Sequence, residues 1–125
     1  MQWILIIGSE KLTLDSVKAI DHYGSISTYD VPEIKNRYCV DFGEDHILYD
    51  YEEGEVAIRD FEESDLKCFP FADIHVITMV YTTEQRMRKV LQQENYLNDV
   101  YVDNDHGLIV PIGEFIKLGM PVEPK

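Results

Sequence analysis

Three consecutive segments in the middle of the chain alternate apolar and polar residues with a period of two. They read RYCVDF (37–42), HILYDY (46–51) and EVAIRDF (55–61), and the short GED and EEG sequences between them suit tight turns. A period of two places alternate side chains on the same face of a sheet. The pattern therefore predicts an antiparallel meander, with these inward residues: Tyr38, Val40, Phe42, Ile47, Tyr49, Tyr51, Val56 and Ile58.

Further strands and helices are predicted on both sides of this meander. WILIIG (3–8) and IHVITMVY (74–81) are apolar at nearly every position, as strands covered on both faces are. LTLDSVKAIDHYG (12–24) and TTEQRMRKVLQQENY (82–96) carry apolar residues at helical spacing. Thr13 is suited to capping the first helix, and Thr82 with Gln85 matches a capping box before the second, whose apolar stripe is Met87, Val90 and Leu91. SISTYD and VYVD predict two more strands, and VPIGEFIKLG predicts a closing helix.

Together these elements predict one α/β domain over residues 1–125. We expect a mixed sheet with the antiparallel meander in the middle of the chain and two to three helices packed on the sheet. The apolar run near the N-terminus is too short for a signal sequence or a membrane span, which favours a cytoplasmic location. Cys39 and Cys68 lack a C-x-x-C pattern and are expected to be free thiols, and the apolar neighbours of Cys68 predict a buried, unreactive thiol.

The net charge of −13 is the unusual property of this composition. Residues 41–65 contain eleven carboxylates and one base, Arg59. The alternation places most of these acids at turns or on the outward face of the meander, where water solvates them. A charge of this sign disfavours binding to nucleic acids and to anionic membranes, which are themselves negatively charged. A basic protein is the partner that it favours.

No motif in the chain predicts catalysis, a metal site or a cofactor. The histidines lack the H-x-x-x-H and H-E-x-x-H spacings of zinc sites, and no phosphate-binding glycine pattern follows the first strand. DNDHG (103–107) resembles the start of a calcium loop. However, Gly107 and Leu108 stand where that loop needs an oxygen ligand and a glycine. We therefore predict no catalytic residues, no metal and no cofactor, and we interpret DNDHG as a polar turn.

The length, the acids of residues 41–65 and the ending VYVDNDHGLIVPIGEFIKLG (100–119) resemble those of small, acidic, single-domain bacterial proteins of unassigned function. Many of the better understood members of that group are immunity proteins, which neutralise a partner toxin. The resemblance is one of layout, without a specific motif. It implies a non-enzymatic protein that occludes a basic partner such as a nuclease toxin.

We expect the following acids to form the surface that meets such a partner: Asp50, Glu52, Glu53, Glu55 and Asp60. A secondary basic patch, Arg86 and Lys89, shares one face of a predicted helix and suits an acidic surface, such as that of a second copy. Two alternatives stay open. One is a small metal-dependent enzyme that uses clustered carboxylates, and the other is a regulatory module that self-associates as a homo-oligomer.

Overall fold

A computed structural model describes residues 2–123 of the chain. Within these residues seven strands form one sheet in the order β2-β3-β4-β5-β1-β6-β7, accompanied by five short helices. The strands are β1 (Gln2–Gly8), β2 (Ser27–Asp30), β3 (Arg37–Asp41), β4 (His46–Glu53), β5 (His75–Tyr81), β6 (Tyr101–Asp103) and β7 (Ile109–Pro111). The helices are α1 (Leu14–Lys18), α2 (Gly54–Ile58), α3 (Glu63–Leu66), α4 (Glu84–Leu91) and α5 (Ile112–Lys117).

The expected combination of helices and a sheet is confirmed, but the expected mixed sheet is wrong. Every strand pair among the described residues is antiparallel. The first two strands of the predicted meander lie side by side as β3 and β4. β2 pairs with β3 at one edge of the sheet, and β5, β1, β6 and β7 extend the sheet beyond β4. Three of these pairs, β2–β3, β3–β4 and β6–β7, are joined by four to six residues, which is too short for the crossover connection that a parallel pair needs.

The third predicted strand of the meander, residues 55–61, is also wrong, because this segment begins with helix α2. β4 already has β3 on one side and β5 on the other, so a further strand next to it would find no free edge. Gly54 has a φ of +68°, a backbone conformation that glycine adopts readily, and it turns the chain out of the sheet. Val56, expected to face inward, is 50 % exposed, and Ala57 is buried instead.

The main core lies on one side of the sheet, which we call the inner face. It contains five of the predicted inward residues of the meander: Tyr38, Val40, Phe42, Ile47 and Tyr49. Helices α1, α4 and α5 cover this face through Val17, Met87 and Phe115, among others. The period-two pattern of β3 and β4 and the helical stripe of α4 are therefore confirmed.

The opposite side of the sheet, the outer face, is covered over only part of its width. A smaller apolar cluster is formed there by Ile7 and Val76 of the sheet with Ala57 of α2 and Phe69 of the segment after α3. Phe61 and Tyr101 pack at its margin. The chain from α2 to β5 thus lies over the end of the sheet near Val76, and this placement creates the groove described below.

Two local expectations need correction. Helix α4 is capped by Thr83, whose hydroxyl accepts the Arg86 N–H at 3.2 Å, and not by Thr82. Cys68 is exposed, because the adjacent Phe69 turns into the outer cluster, whereas Cys39 is buried in β3. Both cysteines are free. Among the described helices, none has the length and apolar character needed to cross a bilayer.

Candidate functional site

A groove of about 350 Å³ opens on the outer face beside helix α2. Six carboxylate side chains line it: Glu52, Asp60, Glu62, Asp65, Asp103 and Asp105. None of the fourteen lining residues that the structure describes is basic. The remaining walls are mainly apolar, including Leu5, Val76 and Ile109. We call this site the acidic groove.

Three separate parts of the chain meet at the acidic groove. Glu52 comes from the end of β4, opposite Val76 of β5. Asp103 ends β6 and lies opposite Leu5 of β1, because β6 pairs with β1 across the sheet. The segment around α3 brings Asp60, Glu62 and Asp65 to the same place. The acids are therefore far apart in the sequence and are gathered by the order of the strands.

The negative charge of Asp103 is opposed by the surroundings of this side chain. Burial raises the pKa of Asp103, and the nearby charges of Asp105 and Asp65 raise it further. The N–H of Asp105 donates to Asp103 Oδ1 at 2.8 Å and opposes this shift. A carboxylate held in a partly dry, negative environment is stabilised by any cation that enters beside it.

The carboxylates of the acidic groove are poorly neutralised by the protein itself. Within residues 2–123, Asp60 is the one member of the six in an ion pair, at 4.0 Å from the Arg59 guanidinium. Both of these side chains are mostly in water, where such a pair contributes little. Most of the negative charge of the groove is therefore left unpaired by the residues that the structure describes.

Two of the five acids predicted for the partner surface lie in the groove, namely Glu52 and Asp60. The others lie elsewhere. Asp50 accepts two hydrogen bonds from Arg37 across the β3–β4 pair, at 2.6 and 2.8 Å, and so its charge is already matched. Glu53 accepts the Tyr51 hydroxyl at 3.0 Å, and Glu55 is exposed on α2.

Sequence reasoning missed the other four acids of the groove: Glu62, Asp65, Asp103 and Asp105. The DNDHG segment is the polar turn that was predicted, with Asn104 Oδ1 accepting the His106 N–H at 2.8 Å. Its two aspartates were assigned no function, because their position relative to β4 and α3 depends on strand order. The one available signal was a concentration of acids in a turn that follows a buried strand.

The predicted basic patch on α4 is not a free surface at Arg86. The Arg86 guanidinium donates to Asp45 at 2.9 and 3.3 Å, lowers the pKa of that carboxyl and lies 4.0 Å from the centre of the Phe42 ring. Arg86 thus joins α4 to the β3–β4 turn. Lys89 is exposed, so of the two predicted bases only Lys89 is available to a partner.

Two buried polar clusters were also candidates for chemistry. On the inner face, His22 Nε2 lies 2.7 Å from the Tyr49 hydroxyl, which lies 3.0 Å from that of Tyr96. His75 contacts the Leu12 carbonyl and the Tyr51 hydroxyl through Nδ1, at 3.0 and 2.8 Å. Its Nε2 lies 3.1 Å from Asp73. Every ring nitrogen has a protein partner, so we interpret both clusters as structural.

No three His, Cys, Asp or Glu side chains within residues 2–123 are arranged so that they could hold one metal ion. Comparison with known proteins adds no assignment: no family model, no curated protein and no solved structure matches the chain. The interpretation of the acidic groove therefore depends on its own geometry and charge.

Proposed function

We propose that the protein is a non-enzymatic binding protein whose acidic groove receives basic side chains of a protein partner. The role would be that of an immunity-type protein, which occludes a basic partner such as a nuclease toxin. Long-range attraction would speed the encounter, and the bound chain would then block the partner's surface.

The observation that carries this proposal is the combination of six carboxylates with apolar walls in one groove. Arginine and lysine pair a cationic head with an apolar stem, so one side chain can use both features. A cation beside Asp103 would also relieve the unfavourable environment that raises the pKa of this carboxyl. An arginine or lysine can pair with one carboxylate at a time, so this binding does not need three side chains arranged around one point, as a metal ion would.

The proposal is tested with a hexa-arginine peptide as probe, using titration calorimetry at 0.05 and 0.15 M salt. The groove variant Glu52→Gln, Asp60→Asn, Asp103→Asn removes three charges. A matched variant, Glu10→Gln, Glu33→Gln, Glu94→Gln, removes three charges from exposed residues that do not line the groove. We expect the groove variant to bind at least about tenfold more weakly than wild type, a change of about 1.4 kcal/mol. The matched variant should lose less than about threefold.

Equal losses in the two variants would show that the peptide responds to net charge alone, and the proposal would then be wrong. The immunity-type role has its own test in cells. Growth is compared for cells that express the product of the reading frame directly upstream, with and without this chain. We expect the chain to restore growth and the groove variant to restore it less well.

A further inference from the structure

A row of five residues crosses the part of the outer face that lies away from helix α2. Tyr29 lies opposite Cys39, Cys39 opposite Leu48, Leu48 opposite Val80, and Val80 opposite Trp3. These side chains therefore follow one another across β2, β3, β4, β5 and β1. With about 4.8 Å between neighbouring strands, the row is about 19 Å long. We call it the apolar row.

The apolar row is not part of either core. Tyr29 and Trp3 are 49 % and 47 % exposed, and Leu48 and Val80 are half-buried. Within residues 2–123, none of these four belongs to, or packs against, the two apolar clusters. A contiguous apolar surface of this kind, left in water, is typical of an interaction site. Aromatic and aliphatic residues with charges kept to the margin are the composition of an interface centre.

The apolar row borders the acidic groove directly. Leu5 and Thr78 line the groove, and each lies two residues along its strand from a member of the row, Trp3 or Val80. Two residues along a strand correspond to about 7 Å. One partner surface of ordinary size, about 800 Å² on each side, can therefore cover the row and reach the groove together.

The charge of the surroundings decides what covers this surface. The groove that borders the row is acidic and the whole chain carries −13, so a second copy would bring like charges close together. We propose that this open part of the outer face docks a basic protein, whose apolar side chains cover the apolar row while its arginine or lysine enters the acidic groove. This inference rests on the proposed function and adds the centre of its interface.

Trp3 is the only tryptophan of the chain and reports directly on this surface. The probes are two tryptophan-free twelve-residue peptides, one alternating leucine with arginine and one alternating serine with arginine. On binding the leucine–arginine peptide, we expect Trp3 emission to shift to the blue and its quenching by acrylamide to fall. We expect this peptide to bind at least about tenfold more tightly than the serine–arginine peptide at 0.15 M salt.

The variant Tyr29→Thr, Leu48→Thr removes two apolar side chains of the row. Threonine is chosen because it is common in strands, so the sheet should keep its structure. It should lose the preference for leucine while binding the serine–arginine peptide as wild type does. Val80→Thr alone, a smaller change, should reduce the preference in the same direction. Leu118→Ser is the control, because Leu118 is an apolar residue next to α5 that is as exposed as Tyr29. It should change the affinity for neither peptide.

Three results would overturn the inference. The first is a leucine preference that survives in the Tyr29→Thr, Leu48→Thr variant. The second is no leucine preference in wild type. The third is a wild-type dimer in sedimentation that dissociates in this variant, since the row would then belong to a second copy. Failure of the proposed function looks different: the variant Glu52→Gln, Asp60→Asn, Asp103→Asn would bind both peptides as wild type does.

Discussion

Individual polar residues in the main core are held in a directed chain of hydrogen bonds. The Ile20 carbonyl accepts from His22 Nδ1 at 3.1 Å, which leaves Nε2 as the acceptor of the Tyr49 O–H at 2.7 Å. Tyr96 in turn donates to the Tyr49 hydroxyl at 3.0 Å. With every group neutral, each donor has an acceptor. Burial lowers the pKa of His22 and raises the pKa of both Tyr49 and Tyr96, so it favours this neutral state.

The lowered pKa of His22 predicts a loss of stability in mild acid. Below the ordinary histidine pKa of about 6.5, the unfolded chain binds a proton at His22 that the folded protein does not bind. The free energy of unfolding should therefore decrease as the pH is lowered, by at most about 1.4 kcal/mol per pH unit for this one proton. The decrease should stop once the pH reaches the pKa of His22 in the folded protein. Urea unfolding of wild type and His22→Gln between pH 7.5 and 5.5 measures the difference in slope.

His106→Gln is the matched control for this experiment, because His106 is exposed in the turn between β6 and β7. We expect it to keep the wild-type pH dependence, while His22→Gln has a shallower one. Identical slopes in all three proteins would mean that His22 takes up its proton equally well in the folded state.

At the scale of elements, close packing at the end of β1 connects the sheet to the chain that leads into α1. A Cβ atom at Gly8 would lie 2.9 Å from Leu12 Cβ and 3.4 Å from Val100 Cγ1. Leu12 Cβ is attached directly to the backbone and cannot move aside by a rotamer change. Glycine is therefore required at position 8, because there is no space there for a side chain. By contrast, nothing lies within 4 Å of a Cβ at Gly113 in α5.

Gly8→Ala is expected to destabilise the protein by about 1–3 kcal/mol, because the added methyl overpacks the core. Gly113→Ala should stabilise it by about 0.5–1 kcal/mol, because alanine loses less backbone freedom in a helix. Urea unfolding at pH 7 measures both changes. If both variants were stabilised, the close approach of Leu12 to β1 would not exist in solution.

For the whole molecule, the uneven distribution of charge sets how stability responds to salt. The half-buried pairs Arg37–Asp50 and Arg86–Asp45 neutralise two acids locally. The groove collects six carboxylates, and the net charge remains −13. Repulsion of this kind opposes the compact state and acts through water, so dissolved ions screen it more strongly than they screen the partly buried pairs.

Salt should therefore raise the melting temperature. The Debye length falls from about 30 Å at 0.01 M to about 10 Å at 0.1 M, which removes most of the repulsion between separated acids. The groove variant Glu52→Gln, Asp60→Asn, Asp103→Asn should melt higher than wild type at 0.01 M salt and gain less from added salt. Calorimetric scans of both proteins provide the measurement. A wild-type melting temperature that falls with salt would show that attractive pairs dominate.

Local patterns determined much of this fold. Alternation in β3 and β4 identified the residues of the inner face from Tyr38 to Tyr49, because side chains alternate between the faces of any strand, whatever lies next to it. The stripe of Met87, Val90 and Leu91 likewise identified the buried side of α4. Composition alone indicated an acidic surface. These properties need only neighbours along the chain.

Properties that depend on which strands are neighbours were decided by the tertiary structure. Residues 55–61 alternate as a strand does, yet β5 takes the place beside β4 and the segment begins as a helix. The acidic groove exists because β6 pairs with β1, which brings Asp103 near Glu52 and the acids around α3. The apolar row likewise joins five strands from across the chain. Such contacts join residues up to about a hundred positions apart, so no local pattern contains them.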